Sequence, residues 1–229
     1  DVRLTSNGMQ FTWRAFYHYY YALSVSGEFK MKISEGLGFI IAATVVVVVF
    51  SFIISLLLNK KFPMRTFFRV VFFLPVVIMS GPVIAKLLTG ETVDFSKSGS
   101  IVYTFLGDLP EVLRNPTLFV LNNLTTILWF SGVQILIYLA GLQKISPDIY
   151  EAASIDGAGA WEKFWKITLP YMRPMALLNA VYTVVEISNY SELGINKLIS
   201  NNMFNQTRIY SYSAAMSWLY FLIVAVLLI

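Results

Sequence analysis

Of the 229 residues, 57% are hydrophobic, 16% aromatic and only 13% charged. A soluble domain carries about a quarter charged residues, so much of this surface is expected to face lipid. The net charge of +4 is too diffuse to argue for nucleic acid. With no Cys there is neither a disulfide framework nor a thiol nucleophile. The single histidine, His18, sits among Phe16, Tyr17, Tyr19 and Tyr20 and reads as a packed or interfacial residue rather than a ligand.

The fold class expected is all-α and polytopic. Residues 1–34 read as an extracytoplasmic segment and residues 35–229 as a transmembrane domain. A helix needs about 20 mainly apolar residues to cross a bilayer. Leu37–Leu58 is uncharged and long enough for a first span. The second runs from about Phe67 to Leu88, with Pro75, Gly81 and Pro82 inside it, which predicts a kinked helix packed against neighbours. Gly90–Asn115 reads as an external loop with a short interfacial helix near Val102–Phe105. A third span lies within Pro116–Leu142. The fourth runs from about Pro174 to Ile195 and is interrupted by Glu186. The fifth starts near Ile209. The chain begins at Asp1 without a methionine and stops at Ile229 inside an apolar run, so a preceding helix and the end of the last one are expected outside it.

Orientation follows from the basic residues of the linkers. Lys60, Lys61, Arg65 and Arg69 follow the first span; Lys144, Lys163, Lys166 and Arg173 follow the third. The opposite linkers hold only Lys97 and Arg114, then Lys197 and Arg208. The richer set is therefore placed in the cytoplasm.

The most informative stretch is the cytoplasmic loop 143–174. Ser146 can cap a helix, Pro147 suits its first position, and Asp148 favours its positive end. Gly157 supplies a left-handed stop. The helix between them has small residues at Ala152 and Ala153. A second short helix follows, with Trp161, Phe164 and Trp165 on an aromatic face and Pro170 ending it. Two such helices between spans are suited to docking into a partner's groove.

Glu151-Ala152-Ala153, Gly157 after three residues, and Ile167-x-Leu169-Pro170 after nine more resemble the EAA loop of ABC importer permeases. Leu142-Gln143 and Ile155-Asp156-Gly157-Ala158 are similar to the carbohydrate branch, related to the larger maltose-permease subunit. The likeness extends to Phe68-Arg69, Phe73-Leu74-Pro75 and Trp129–Gln143, although Ser200–Asn205 stands where a Gly-Gly-Pro is often found. The resemblance implies a permease in a bacterial or archaeal cytoplasmic membrane. Its partners would be a second permease subunit, two cytoplasmic ATPase subunits, an extracytoplasmic solute-binding protein, a carbohydrate substrate and membrane lipid. It assigns ATPase coupling to Glu151, Ala152, Ala153, Asp156, Gly157, Ile167, Leu169 and Pro170. The chain has no GxxxxGK[ST] phosphate loop. ATP and Mg are thus expected in the partner ATPase, with no cofactor or metal in this chain and no enzymatic activity of its own.

For the substrate path, Asn179, Tyr182, Glu186 and Asn189 recur at helical spacing on the fourth span; Ser131, Gln134 and Tyr138 do so on the third. A charge at the centre of a membrane helix costs about 2.5–3.5 kcal/mol on insertion scales, so Glu186 should face protein or water. Hydroxyl-rich sugars need mixed donors and acceptors beside aromatic faces. The rival reading is a secondary transporter or channel without an ATPase partner. An intramembrane enzyme would need a cluster of His, Asp or Glu within the spans, and only Glu186 lies deep.

Overall fold

The computed structural model describes residues 2–5, 8–11, 16–60, 67, 70–71, 110–204 and 210–229. It opens with strands β1 (Val2–Thr5) and β2 (Gly8–Phe11). The helices are α1 (Tyr17–Tyr20), α2 (Gly27–Asn59), α3 (Glu111–Asn122), α4 (Leu124–Leu142) and α5 (Pro147–Ile155), then α6 (Ala160–Lys163), α7 (Leu169–Ser188), α8 (Gly194–Met203) and α9 (Tyr210–Leu227). Wider π-turns occupy Tyr21–Val25 and Phe164–Thr168. Among the described residues the protein is helical as expected, except for the hairpin within residues 1–34, where β1 and β2 pair antiparallel with Val2 opposite Phe11.

Among the described residues, α2, α4 and α9 are long and apolar enough to cross a membrane. They are the first, third and fifth expected spans. The second, Phe67–Leu88, lies outside the described residues apart from Phe67, Val70 and Val71, and so does the short helix expected near Val102–Phe105. Several boundaries need correction. α2 begins ten residues before Leu37 because Ser26 Oγ accepts the Phe29 amide at 3.3 Å and Glu28 sits in the first turn, a favourable helix start. Lys32 and Glu35 pair at 2.7 Å along the added turns. The Gly90–Asn115 loop is helical from Glu111 onward. The third span is broken at Asn123, whose side-chain amide donates to Phe119 O at 2.8 Å and competes with the helix ladder. The fourth helix ends at Ser188, and Ile195 belongs instead to α8.

The structure divides into two compact units, residues 45–183 and residues 1–44 with 184–229. In the first, Tyr138, Leu142, Ile145 and Met172 form a buried cluster, with Phe52, Leu56, Ile149 and Tyr150 packed against it. Along this part of α2, Val45, Val49, Ile53 and Leu57 recur every fourth residue and are about half exposed, whereas Ser51 and Ser55 are fully buried. Aliphatic side chains outside and hydroxyls inside suit a helix in lipid, where buried polar groups bond to neighbours. Ser51 Oγ donates to Ser131 O at 3.4 Å and Ser55 Oγ to Phe52 O at 2.7 Å. Gly141 lets α4 and α7 approach closely: a Cβ there would lie 2.7 Å from Met175 Cγ.

In the second unit, polar contacts pin the turn that leaves α7. Asn196 Nδ2 donates to Ser188 O and to Tyr190 O at 2.8 Å, and Tyr220 Oη donates to Ser188 O at 2.8 Å. Ile195 and Met216 are fully buried.

Candidate functional site

The loop between α4 and α7 belongs to the unit of residues 45–183. Its first helix starts as expected. Ser146 Oγ accepts the Asp148 amide at 3.3 Å, Pro147 occupies the first turn, and the Ser146 hydroxyl donates to the Asp148 carboxylate at 3.0 Å. Its end is a Schellman turn. Ala158 N donates to Ala153 O at 2.8 Å and Gly157 N to Ser154 O at 3.1 Å, with Gly157 at φ 80°. That left-handed conformation closes both bonds and is strained for any residue with a Cβ.

α5 has two faces. Inward, Ile149 and Tyr150 pack on the Tyr138, Leu142, Ile145 and Met172 cluster, joined there by Ile167. Tyr150 Oη and Thr168 Oγ1 lie 2.8 Å apart, and Lys163 Nζ donates to Ser154 Oγ at 2.5 Å. Outward, Glu151, Ala152, Asp156 and Gly157 are exposed and Ala153 is half-buried. Ile155 is 87% exposed, so the helix tip presents an aliphatic side chain beside two carboxylates. Among the described residues, the Glu151 and Asp156 carboxylates have no hydrogen-bond or ion-pair partner.

The second short helix does not stop at Pro170. Helical backbone runs without a gap from Ala160 to Ser188, through α6, the π-turn and α7, with Pro170 as the second residue of α7. Proline lacks an N–H, and its ring crowds the carbonyl four residues back. The π-turn just before it uses longer-range bonds and loosens that crowding. Consequently the second short helix is continuous with α7. Trp161 and Trp165 meet edge to face at 5.5 Å, and both are exposed. Ile167, Leu169 and Pro170 are half-buried. Tyr150 and Thr168, which tie α5 to the π-turn, were not singled out in the sequence; their spacing of 18 residues carries no periodic signal.

The six residues expected along a substrate path separate into two groups. Ser131 and Gln134 are fully buried and Tyr138 nearly so. Gln134 Nε2 donates to Thr183 Oγ1 at 3.0 Å, Asn179 Nδ2 to Gln134 O at 3.2 Å, and Ser131 Oγ to Ile127 O. The Gln134 bonds stitch α4 to α7, the Ser131 hydroxyl bonds within α4, and all three side chains present almost no surface to a solute in this conformation. Tyr182 and Glu186 on α7 and Asn189 in the turn after it do retain surface, and Asn189 Nδ2 donates to Val185 O at 2.8 Å. Thr183 was missed, although it lies one turn beyond Asn179 on the same face. Among the described residues, no three His, Asp or Glu side chains converge as metal ligands would.

Comparison with known proteins bears on this arrangement. Residues 60–229 match the family described as binding-protein-dependent transport system inner membrane component. The chain is 29% identical over 225 residues to the multiple sugar-binding transport system permease protein MsmF of Streptococcus mutans, covering 90% of this chain and 76% of that one. It is 28% identical over 211 residues to the lactose transport system permease protein LacF of Rhizobium radiobacter, covering 82% and 70%. With the arabinooligosaccharides transport system permease protein AraP of Bacillus subtilis the identity is 33% over 140 residues, 58% of this chain and 44% of that one. Its fold is similar to that of a chain in the crystal structure of a bacterial alginate ABC transporter in complex with alginate pentasaccharide-bound periplasmic protein. There the TM-score is 0.69 and the identity 21%, with 94% of this chain and 80% of that chain covered. With the family matched over most of its length, this multi-pass membrane chain belongs to the inner membrane components of binding-protein-dependent transport systems.

Proposed function

We propose that the chain is the non-catalytic membrane subunit of an ATP-driven importer of a sugar or oligosaccharide. The observation that carries this is the two-faced α5: its inner face is bonded to the π-turn that leads into α7 and packs with Met172 of α7, and its outer face is exposed (Ile155 is 87% exposed). A partner that grips the outer face moves α7 with it. Two cytoplasmic ATPase subunits, binding ATP and Mg, would supply that grip through Glu151, Ala152, Ala153, Asp156 and Gly157. Ile167, Leu169 and Pro170 would carry the motion into the helix. A second permease subunit would complete the pathway, and an extracytoplasmic solute-binding protein would deliver the substrate. Nucleotide then biases a two-state element, as coupling requires.

A carbohydrate cargo is supported by the relatives, which are named for transport of multiple sugars, lactose and arabinooligosaccharides. Tyr182 and Glu186 on α7 and Asn189 just beyond its end offer a ring, a carboxylate and an amide, the mixture a sugar needs. Ser131, Gln134 and Tyr138 would reach a solute only when α4 and α7 part.

Reconstitution tests this reading. Proteoliposomes with the full-length chain, its ATPase, its second permease and the binding protein should take up lactose or arabinotriose only when ATP is present. Uptake by the permease without the ATPase would make it a secondary transporter or channel instead.

A further inference from the structure

The unit of residues 1–44 and 184–229 contains a hollow of about 450 Å³ that the coupling loop and the α7 stripe leave unused. Tyr17, His18, Tyr21, Glu28, Asn202 and Tyr212 line it. They come from α1, the π-turn after it, the first turn of α2, α8 and α9. The rings brace one another. Tyr21 meets Tyr212 edge to face at 5.5 Å, His18 lies 6.3 Å from Tyr212, and Tyr17 stacks on Tyr21 at 6.2 Å. Tyr17 and Tyr21 keep much of their faces exposed, whereas His18 and Asn202 are buried. Glu28 is exposed and, among the described residues, has no hydrogen-bond or ion-pair partner. Asn202 is held by its own bond, Nδ2 to Leu198 O at 2.8 Å.

Tyrosines of a membrane-interface belt sit at headgroup level, with the ring towards lipid and the hydroxyl towards water. Here rings from separate elements converge on a concavity that also holds a carboxylate, an amide and an imidazole. Its volume falls in the range of about 300–1,000 Å³ typical of small-molecule sites, with room for a mono- or disaccharide. The ring faces suit the apolar C–H face of a sugar, and the polar groups offer donors and acceptors to its hydroxyls. A quaternary ammonium ion would use the rings and Glu28 but could form no hydrogen bond with Asn202 or His18.

We propose that this hollow is a saccharide-binding subsite separate from the polar stripe of α7. It rests on the sugar-importer reading. The basic-residue bias places the starts of α2 and α9 on the extracytoplasmic side, so the subsite would hold sugar where a binding protein releases it.

The test uses the full-length transport complex in lipid nanodiscs, without the binding protein. Saturation-transfer NMR is recorded with lactose, arabinotriose and an alginate trisaccharide, and with choline as the competing class. Sugar signals are expected from the wild type and from Tyr212→Phe, which keeps the ring. Binding about tenfold weaker is expected for Tyr212→Ala, which removes a ring contact. ATP-driven uptake by Tyr212→Ala should persist with a raised KM. Equal sugar binding by Tyr212→Ala and the wild type, or choline binding in place of sugar, overturns the subsite. If the wild type takes up sugar while Tyr212→Ala binds normally, the subsite fails and the importer stands. If the wild type neither binds nor takes up any of the three sugars, both fail.

Discussion

Gly157 offers the sharpest test of the coupling loop, because its requirement can be divided between backbone and contact. Its φ of 80° lies in the left-handed region, and a Cβ there would find nothing within 4 Å. Inside this chain, then, a substituent at position 157 meets no steric obstacle, and its whole cost is conformational. For Ala that cost is about 1–2 kcal/mol, which shifts a local equilibrium by a factor of about 5–30. Val adds β-branched crowding, and Asn tolerates the left-handed region far better than either. The turn holds two bonds, Ala158 N to Ala153 O and Gly157 N to Ser154 O, so its loss frays the end of α5 where Ile155 and Asp156 stand. Uptake into proteoliposomes should fall roughly tenfold for Gly157→Val, corresponding to about 1.4 kcal/mol. Gly157→Asn should stay near wild type, and the binding protein's sugar affinity should be unchanged in all variants. If Gly157→Ala and Gly157→Val assemble normally and transport at the wild-type rate, the strain reasoning is wrong. If Asn is as damaging as Val, the left-handed turn is not the reason, and the glycine serves a close approach by the partner.

Two further expectations concern the spans. Gly141→Ala would bring a methyl group to 2.7 Å from Met175 Cγ and 3.0 Å from Met172 Cε; it should destabilise by about 1–3 kcal/mol, and an unchanged thermal midpoint for the purified chain would show that the α4–α7 seam is looser than described. Tyr182→Ala and Glu186→Gln should alter uptake or sugar range while binding-protein-stimulated ATP hydrolysis survives. Wild-type uptake and range in both, at normal expression, would remove these residues from the path.

The parts of the fold written in local chemistry were legible in the sequence. Ser146, Pro147 and Gly157 mark the ends of α5 by side-chain and backbone rules that need no tertiary context, and the structure follows them. The long apolar runs of α2, α4 and α9 were legible for the same reason. Features set by competition between local and distant terms were not. Pro170 reads as a stop, yet a preceding π-turn absorbs it. Asn123 lies within the stretch Pro116–Leu142 read as the third span, yet its side-chain amide and its backbone amide both bond to Phe119 O where the helix is interrupted. The polar stripe of α4 was the hardest case. Spacing places Ser131, Gln134 and Tyr138 on one face, but a face turned to a neighbouring helix and a face turned to a water-filled path carry the same residues. Only the partners Thr183 and Asn179 decide which it is.

Those partners also bear on how the spans could rock. Apolar surfaces in lipid gain little by meeting one another, so helix association there rests on packing and interhelical hydrogen bonds, which average about 0.6 kcal/mol each. Polar contacts of α4 with α2 and α7 include Ser51 to Ser131 O, Gln134 to Thr183, Asn179 to Gln134 O, and Tyr138 with Asn179. Together they are worth about 2 kcal/mol on that scale. Allosteric coupling energies run at about 1–3 kcal/mol, so this polar component is small enough for a nucleotide-driven grip on α5 to overcome. An apolar seam of the same size would be no stronger, but on opening it would present only aliphatic side chains. This one, on opening, would expose an amide and hydroxyls, chemistry that a hydroxyl-rich cargo can use. The same side chains can therefore lock the closed arrangement and line the open one, which reconciles their burial here with a position on the proposed path.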